Sequence, residues 1–166
     1  MKKSLLFILL PFLVTNVTAQ DNLKTQINMT LDAWHKAAAE ANYTNYFDAL
    51  TDDAVFMGTD AKENWTKPAF QAYAKPYFDK GKAWNFKSLE RRVYFSGDKK
   101  TAWFDELLDT QMKICRGSGV LVYVNNQWKI KQYVLSITIP NENTDEVIKI
   151  KTPIEEALIT VLKKGK

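Results

Sequence analysis

Acid and base chemistry in this chain would have to come from carboxylates, because 166 residues contain one His and one Cys. Asp60, Glu63, Asp105 and Glu106 are the candidates. A carboxyl group enclosed by apolar walls has its pKa raised toward neutrality, and a neighbouring hydroxyl can then stabilise an enolate. Strand alternation over residues 101–110 sets Ala102, Phe104, Glu106 and Leu108 on one face and Trp103, Asp105, Leu107 and Asp109 on the other. Glu106 is thus the acid expected to face a core, with Arg116 in the next strand as its charged partner. Such a couple serves either as acid and anion stabiliser in a catalytic site or as an ion pair that closes the sheet, and the second use is the commoner one. Ser118, between Gly117 and Gly119, would need His35 as a base. His35 follows Trp34 far back in a helix, is expected on that helix's surface side, and has no third member to orient it. His35 and Cys115 alone assemble no metal site, and no cofactor is called for.

The elements that must position these groups read as helices first and a sheet afterwards. Leu23, Ile27, Leu31, Trp34, Ala38 and Ala41 paint one face of a helix. A second short helix over residues 43–50 turns Tyr46, Phe47 and Leu50 inward, and a short strand, 54–57, follows. Thr66 and Pro68 open a third helix, carrying Phe70, Tyr73 and Tyr77, which Pro76 kinks or ends. After Gly81 come four antiparallel strands near 84–95, 101–110, 116–124 and 127–139, with Asn125-Asn126 as a tight hairpin turn and the two glycines of 116–124 bending that strand or admitting a ligand. The expected fold is α+β: three N-terminal helices packed in a strongly curved, mainly antiparallel sheet that forms a cone with an internal pocket.

Aromatic residues make up 13% of the chain, and Trp34, Phe56, Tyr73, Tyr77, Trp84, Trp103 and Trp128 fall on elements that should converge on that hollow. Large rings with polar tips suit a small apolar or aromatic molecule.

Residues 1–19 read as a signal peptide: Lys2 and Lys3, an apolar run from Leu5 to Val14, and Val17-Thr18-Ala19 before a cleavage point. The run is about half of the roughly 20 residues that span a bilayer, so no stable membrane anchor is expected. The mature protein is expected to be periplasmic or secreted. Loss of Lys2 and Lys3 lowers the net charge from +4 to +2, and the remaining basic pairs are scattered, which excludes nucleic acid as the expected partner. Residues 20–140 form the domain. Residues 141–166 form an extension in which Thr152-Pro153-Ile154-Glu155 opens a short amphipathic helix, expected to dock on the domain through Ile154, Leu158, Val161 and Leu162.

Trp65 before the third helix, Trp103-Phe104-Asp105-Glu106, Arg116-Gly117-Ser118-Gly119-Val120-Leu121, and Trp128-Lys129-Ile130 with Ser136 and Pro140-Asn141 together resemble a SnoaL-like domain of the nuclear-transport-factor-2-like superfamily over about residues 23–142. The resemblance implies a conical pocket and a homodimer through the outer face of the sheet, and leaves activity open. It also implies a His in the last strand near Gln132 and Val134; neither position is ionisable here, so a His-based mechanism is not expected there. Two functions follow: an exported small-molecule-binding protein whose pocket is lined by the seven aromatics with Glu106, Arg116, Ser118 and Gln132, or a cofactor-free lyase, isomerase or hydrolase using a buried carboxylate.

Overall fold

The computed structural model describes residues 19–165, and the signal peptide expected over 1–19 lies outside them except for Ala19. Helix α1 (Ala19–Ala39) buries Ile27, Leu31, Trp34 and Ala38, a stripe advancing three or four residues at a time, with His35 buried beside Trp34. It begins four residues before the apolar pattern, with Asp21 in its first turn. Helix α2 (Tyr43–Asp48) is capped by the Asn42 side chain, which accepts a hydrogen bond from Asn45 N at 3.0 Å. Strand β1 (Leu50–Met57) starts earlier than the expected 54–57, because exposed Asp52 and Asp53 continue it as an edge held by Lys67 and Lys131. Strand β2 (Asn64–Thr66) and helix α3 (Lys67–Asp79) follow, Pro76 being accommodated inside the last turn.

The antiparallel meander consists of β3 (Lys87–Phe95), β4 (Thr101–Thr110), β5 (Lys113–Val124) and β6 (Gln127–Ile137). Asn125 and Asn126 both take positive φ, 49° and 61°, as a two-residue hairpin between right-twisted strands requires. The sheet order is β2-β1-β6-β5-β4-β3, and β1 runs parallel to β6, so the sheet is mixed at one edge. Its concave face and the three helices enclose a core rich in rings: Trp34 stacks on Tyr46 at 5.0 Å and Phe56 on Phe70 at 4.0 Å. The α+β cone is therefore as the sequence indicates.

The extension differs. A single 3-10 turn (Asn141–Asn143) leads directly into helix α4 (Thr144–Lys164), 21 residues long with Pro153 inside it and no buried residue. Thr152 is not its cap; the hydroxyl donates to Ile148 O at 2.7 Å within the helix. The expected docking on the domain is not what the structure shows. Among the described residues no helix is long and apolar enough to cross a membrane.

Asn126→Val should lower stability by about 1–2 kcal/mol, because a β-branched residue resists the left-handed backbone that Asn tolerates. Thermal denaturation reads this as a fall in Tm of roughly 2–8 °C.

Candidate functional site

The hairpin between β3 and β4 pairs Phe95 with Ala102 and, four residues further from the turn, Arg91 with Glu106. Both side chains point to the concave face, where Glu106 is completely buried. Its Oε1 accepts hydrogen bonds from His35 Nε2 at 2.8 Å and from the Tyr133 hydroxyl at 3.1 Å. Its Oε2 accepts from Arg91 Nε at 2.9 Å and lies 2.8 Å from Arg91 Nη2. Arg91 Nη1 reaches outward to Asp32 Oδ1 at 2.9 Å and, more weakly, to Asn28. Burial works to raise the Glu106 pKa, but the His35 hydrogen bond and charge and then Arg91 outweigh it, holding the carboxyl below its ordinary value. Glu106 is thus a carboxylate that can only accept, which places a proton on His35 Nε2. Burial, followed by the Glu106 charge, pushes the Tyr133 hydroxyl well above the usual tyrosine range and keeps it a donor.

Gly117 makes room for this cluster. A Cβ there would stand 2.2 Å from the Tyr133 hydroxyl and 3.0 Å from Glu106 Cγ. The two glycines of β5 therefore serve close packing of inward side chains: a Cβ on Gly119 would meet the Gln132 carbonyl at 2.4 Å.

Beside the cluster lies a cavity of about 280 Å³ between β1, β2, α3 and the segment leading to β3. Its walls are Phe56, Trp65, Phe70, Tyr73, Tyr77, Trp84 and Phe86, with Thr59, Gln111 and Met112 among the remainder, and Glu63 is the one charged residue of its lining. Trp65 stacks on Tyr73 at 4.7 Å and on Phe70 at 5.5 Å, so the wall is a continuous slab of rings. The Gly58–Glu63 turn folds the Glu63 carboxylate back over Gly58, where it accepts from Asp60 N at 3.1 Å. Neither Glu106 nor His35 lines this space. Phe56, which does, stacks on Tyr133 at 5.5 Å, and Phe86, which also does, meets His35 edge-on at 6.2 Å, so a single layer of rings separates the cavity from the charged cluster.

The candidate residues therefore divide. Phe56, Tyr73, Tyr77 and Trp84 share the aromatic cavity. Trp34 and Trp128 line a separate groove of about 510 Å³ between α1, the end of α2 and the β5–β6 hairpin. Trp103, Arg116, Ser118 and Gln132 project from the outer, convex face: the register places Val55, Gln132, Val120, Trp103 and Tyr94 in one cross-strand row, with Ser118 and Arg116 in the next two. Arg116 opposite Leu107 cannot reach Glu106, and the expected Glu106–Arg116 pair is replaced by Glu106–Arg91. His35, expected at the surface, is 6% exposed. Both were within reach of the sequence. His35 stands four residues after Leu31 and eight after Ile27, hence on the buried stripe, and counting back across the hairpin at 96–100 brings Arg91 opposite Glu106.

A curved sheet wrapped on three helices around an aromatic hollow is the cone of nuclear-transport-factor-2-like proteins. Within that superfamily the chain belongs to the SnoaL-like domain family, which residues 27–140 match. Similar solved structures include an NTF2-like protein of unknown function from Pseudomonas putida KT2440 (15% identity, TM-score 0.61, covering 74% of this chain and 91% of that one). A protein of Novosphingobium aromaticivorans DSM 12444 named as a candidate scytalone dehydratase is also similar (12%, 0.62, 74% and 89%). So is one from Novosphingobium aromaticivorans named as a candidate aromatic ring hydroxylase (14%, 0.62, 72% and 91%). At these identities the likeness is one of fold. None of the curated proteins matches the sequence.

Arg91→Met should cost about 3–5 kcal/mol in urea denaturation by leaving Glu106 buried without its guanidinium partner, whereas Arg116→Met should stay within about 0.5 kcal/mol. The folded state holds Glu106 below its ordinary value of 4.5, so the unfolded chain binds the extra proton between the two values. Stability should fall as pH drops through 4.5 toward that lower value, and Glu106→Gln should make this acid limb shallower.

Proposed function

We propose that this chain is an exported small-molecule-binding protein whose ligand occupies the aromatic cavity without being turned over. One observation carries the reading: among the described residues the only fully buried carboxylate has both oxygens committed to His35, Tyr133 and Arg91 and lies outside the cavity wall. A general base needs a free lone pair within hydrogen-bond reach of the proton it removes. Glu106 offers none toward the hollow, and its lowered pKa is the reverse of what a base working near neutrality requires. The cavity, by contrast, has the lining of a binding pocket, rings on most sides with a few polar groups, and sits near the small end of the roughly 300–1,000 Å³ typical of ligand sites. With Glu63 as its one charge it favours neutral or cationic aromatic molecules and repels carboxylates.

The reading as a cofactor-free lyase, isomerase or hydrolase draws on the two similar structures named as a candidate dehydratase and hydroxylase, and on the thin wall of rings, Phe56 against Tyr133 and Phe86 against His35, between cavity and cluster. It requires one of these rings to move aside and Glu106 to release a partner.

Native mass spectrometry of the secreted protein from its own host should find a stoichiometric small molecule that leaves chemically unchanged. Tryptophan fluorescence titration with an aromatic amine, a neutral analogue and the matching carboxylate should rank them in that order, and Trp84→Ala should weaken binding at least about tenfold. Conversion of the bound molecule during incubation, abolished by Glu106→Gln, would establish the enzyme instead.

A further inference from the structure

Helix α4 leaves Ile148, Ile150, Ile154, Val161 and Leu162 between 54% and 73% exposed. Most helical stability in proteins comes from packing an amphipathic face, so this exposed apolar stripe calls for a cover. The pattern of the stripe says which. Val147, Ile150, Ile154, Leu158 and Val161 advance by three, four, four and three residues, which keeps all five within an arc of about 80° at 100° per residue. That spacing reads the same from either end, with Ile154 at its centre.

The charges are arranged about the same centre with opposite sign. Glu146 near the N-terminal end and Lys164 near the C-terminal end both lie about 80° from Ile154 on the same flank of the stripe at 100° per residue, whereas Asp145 and Lys163 point away from it. Laid antiparallel on itself with Ile154 against Ile154, the helix sets Ile150 opposite Leu158 and Val147 opposite Val161, and brings Glu146 within a turn of Lys164 on the shared flank. The two macrodipoles then oppose as well. A parallel pair would instead bring the acidic ends together and the basic ends together. Four lysines against four acids leave α4 with no net charge to draw it to an anionic lipid surface. Lys149, Glu156 and Thr160 lie on the polar side with Pro153, whose missing N–H therefore does not interrupt the seam.

We propose that α4 pairs antiparallel with α4 of a second copy, the two-fold axis passing beside Ile154. The interface is separate from the outer face of the sheet and independent of what the cavity binds.

Site-specific oxidation tests the register in the full secreted chain. Ile154→Cys should give disulfide-linked dimers, because the residue meets its own mate on the axis. Val147→Cys alone should not, the two copies being roughly 21 Å apart along the helices, but Val147→Cys mixed with Val161→Cys should. Cys115 is fully buried and silent in this assay. In sedimentation, Ile154→Glu should weaken dimerisation at least tenfold, Glu146→Lys should weaken it less, and adding Lys164→Glu to Glu146→Lys should restore it. The proposal is overturned by linkage at Val147→Cys as efficient as at Ile154→Cys, which means parallel pairing. It is equally overturned by a dimer indifferent to Ile154→Glu, which places the contact on the sheet, or by a monomer, whether or not it binds phosphatidylcholine vesicles.

Discussion

A carboxylate sealed inside a core of rings is the constraint around which this cone is arranged. Glu106 could be buried only because three donors arrive from three different elements: His35 from α1, Arg91 from β3 and Tyr133 from β6. An aromatic core by itself tolerates small rotations and slips of a helix on a sheet, since one ring can replace another at little cost. A buried charge does not. If α1 turned by one residue, His35 and Asp32 would leave their partners, and Glu106 and Arg91 would be stranded. The cluster adds little net energy over an apolar substitute of the same shape, and its effect is to select one setting of α1 against the sheet.

That arrangement also explains why charge and cavity lie side by side without merging. The hydrogen bonds that make the carboxylate tolerable use up its acceptor capacity on the inner side, and Tyr133 stacked on Phe56 closes the space toward the hollow. What remains open to a ligand is aromatic surface with Glu63 at one side. The most reactive-looking residue holds the architecture, and the open aromatic surface lies where ionisable groups are scarce.

Strand alternation alone made Glu106 legible as an inward acid, and the helix spacings, the Asn125-Asn126 turn and the limits of β4 followed from local rules. Partners across strands were harder. Choosing Arg116 over Arg91 looked to the following strand, where the register turns Arg116 outward, although the preceding hairpin carried the answer. Trp103 and Gln132 joined the candidate pocket because rings and amides invite a binding reading whatever face they occupy. In β1, two adjacent aspartates masked a strand whose outward positions tolerate charge at an edge. Pro153 similarly suggested a helix start where the helix was already two turns old.

The walls of the aromatic cavity come almost wholly from one stretch of chain, Phe56 to Phe86, with Gln111, Met112 and Leu135 contributed from elsewhere. The groups that fix α1 on the sheet come from outside that stretch. Cavity and architecture are thus written in separate parts of the sequence. A lineage carrying this fold can exchange one cassette of about thirty residues and reshape the cavity while the rest of the molecule keeps its shape, which fits a scaffold found under many unrelated activities.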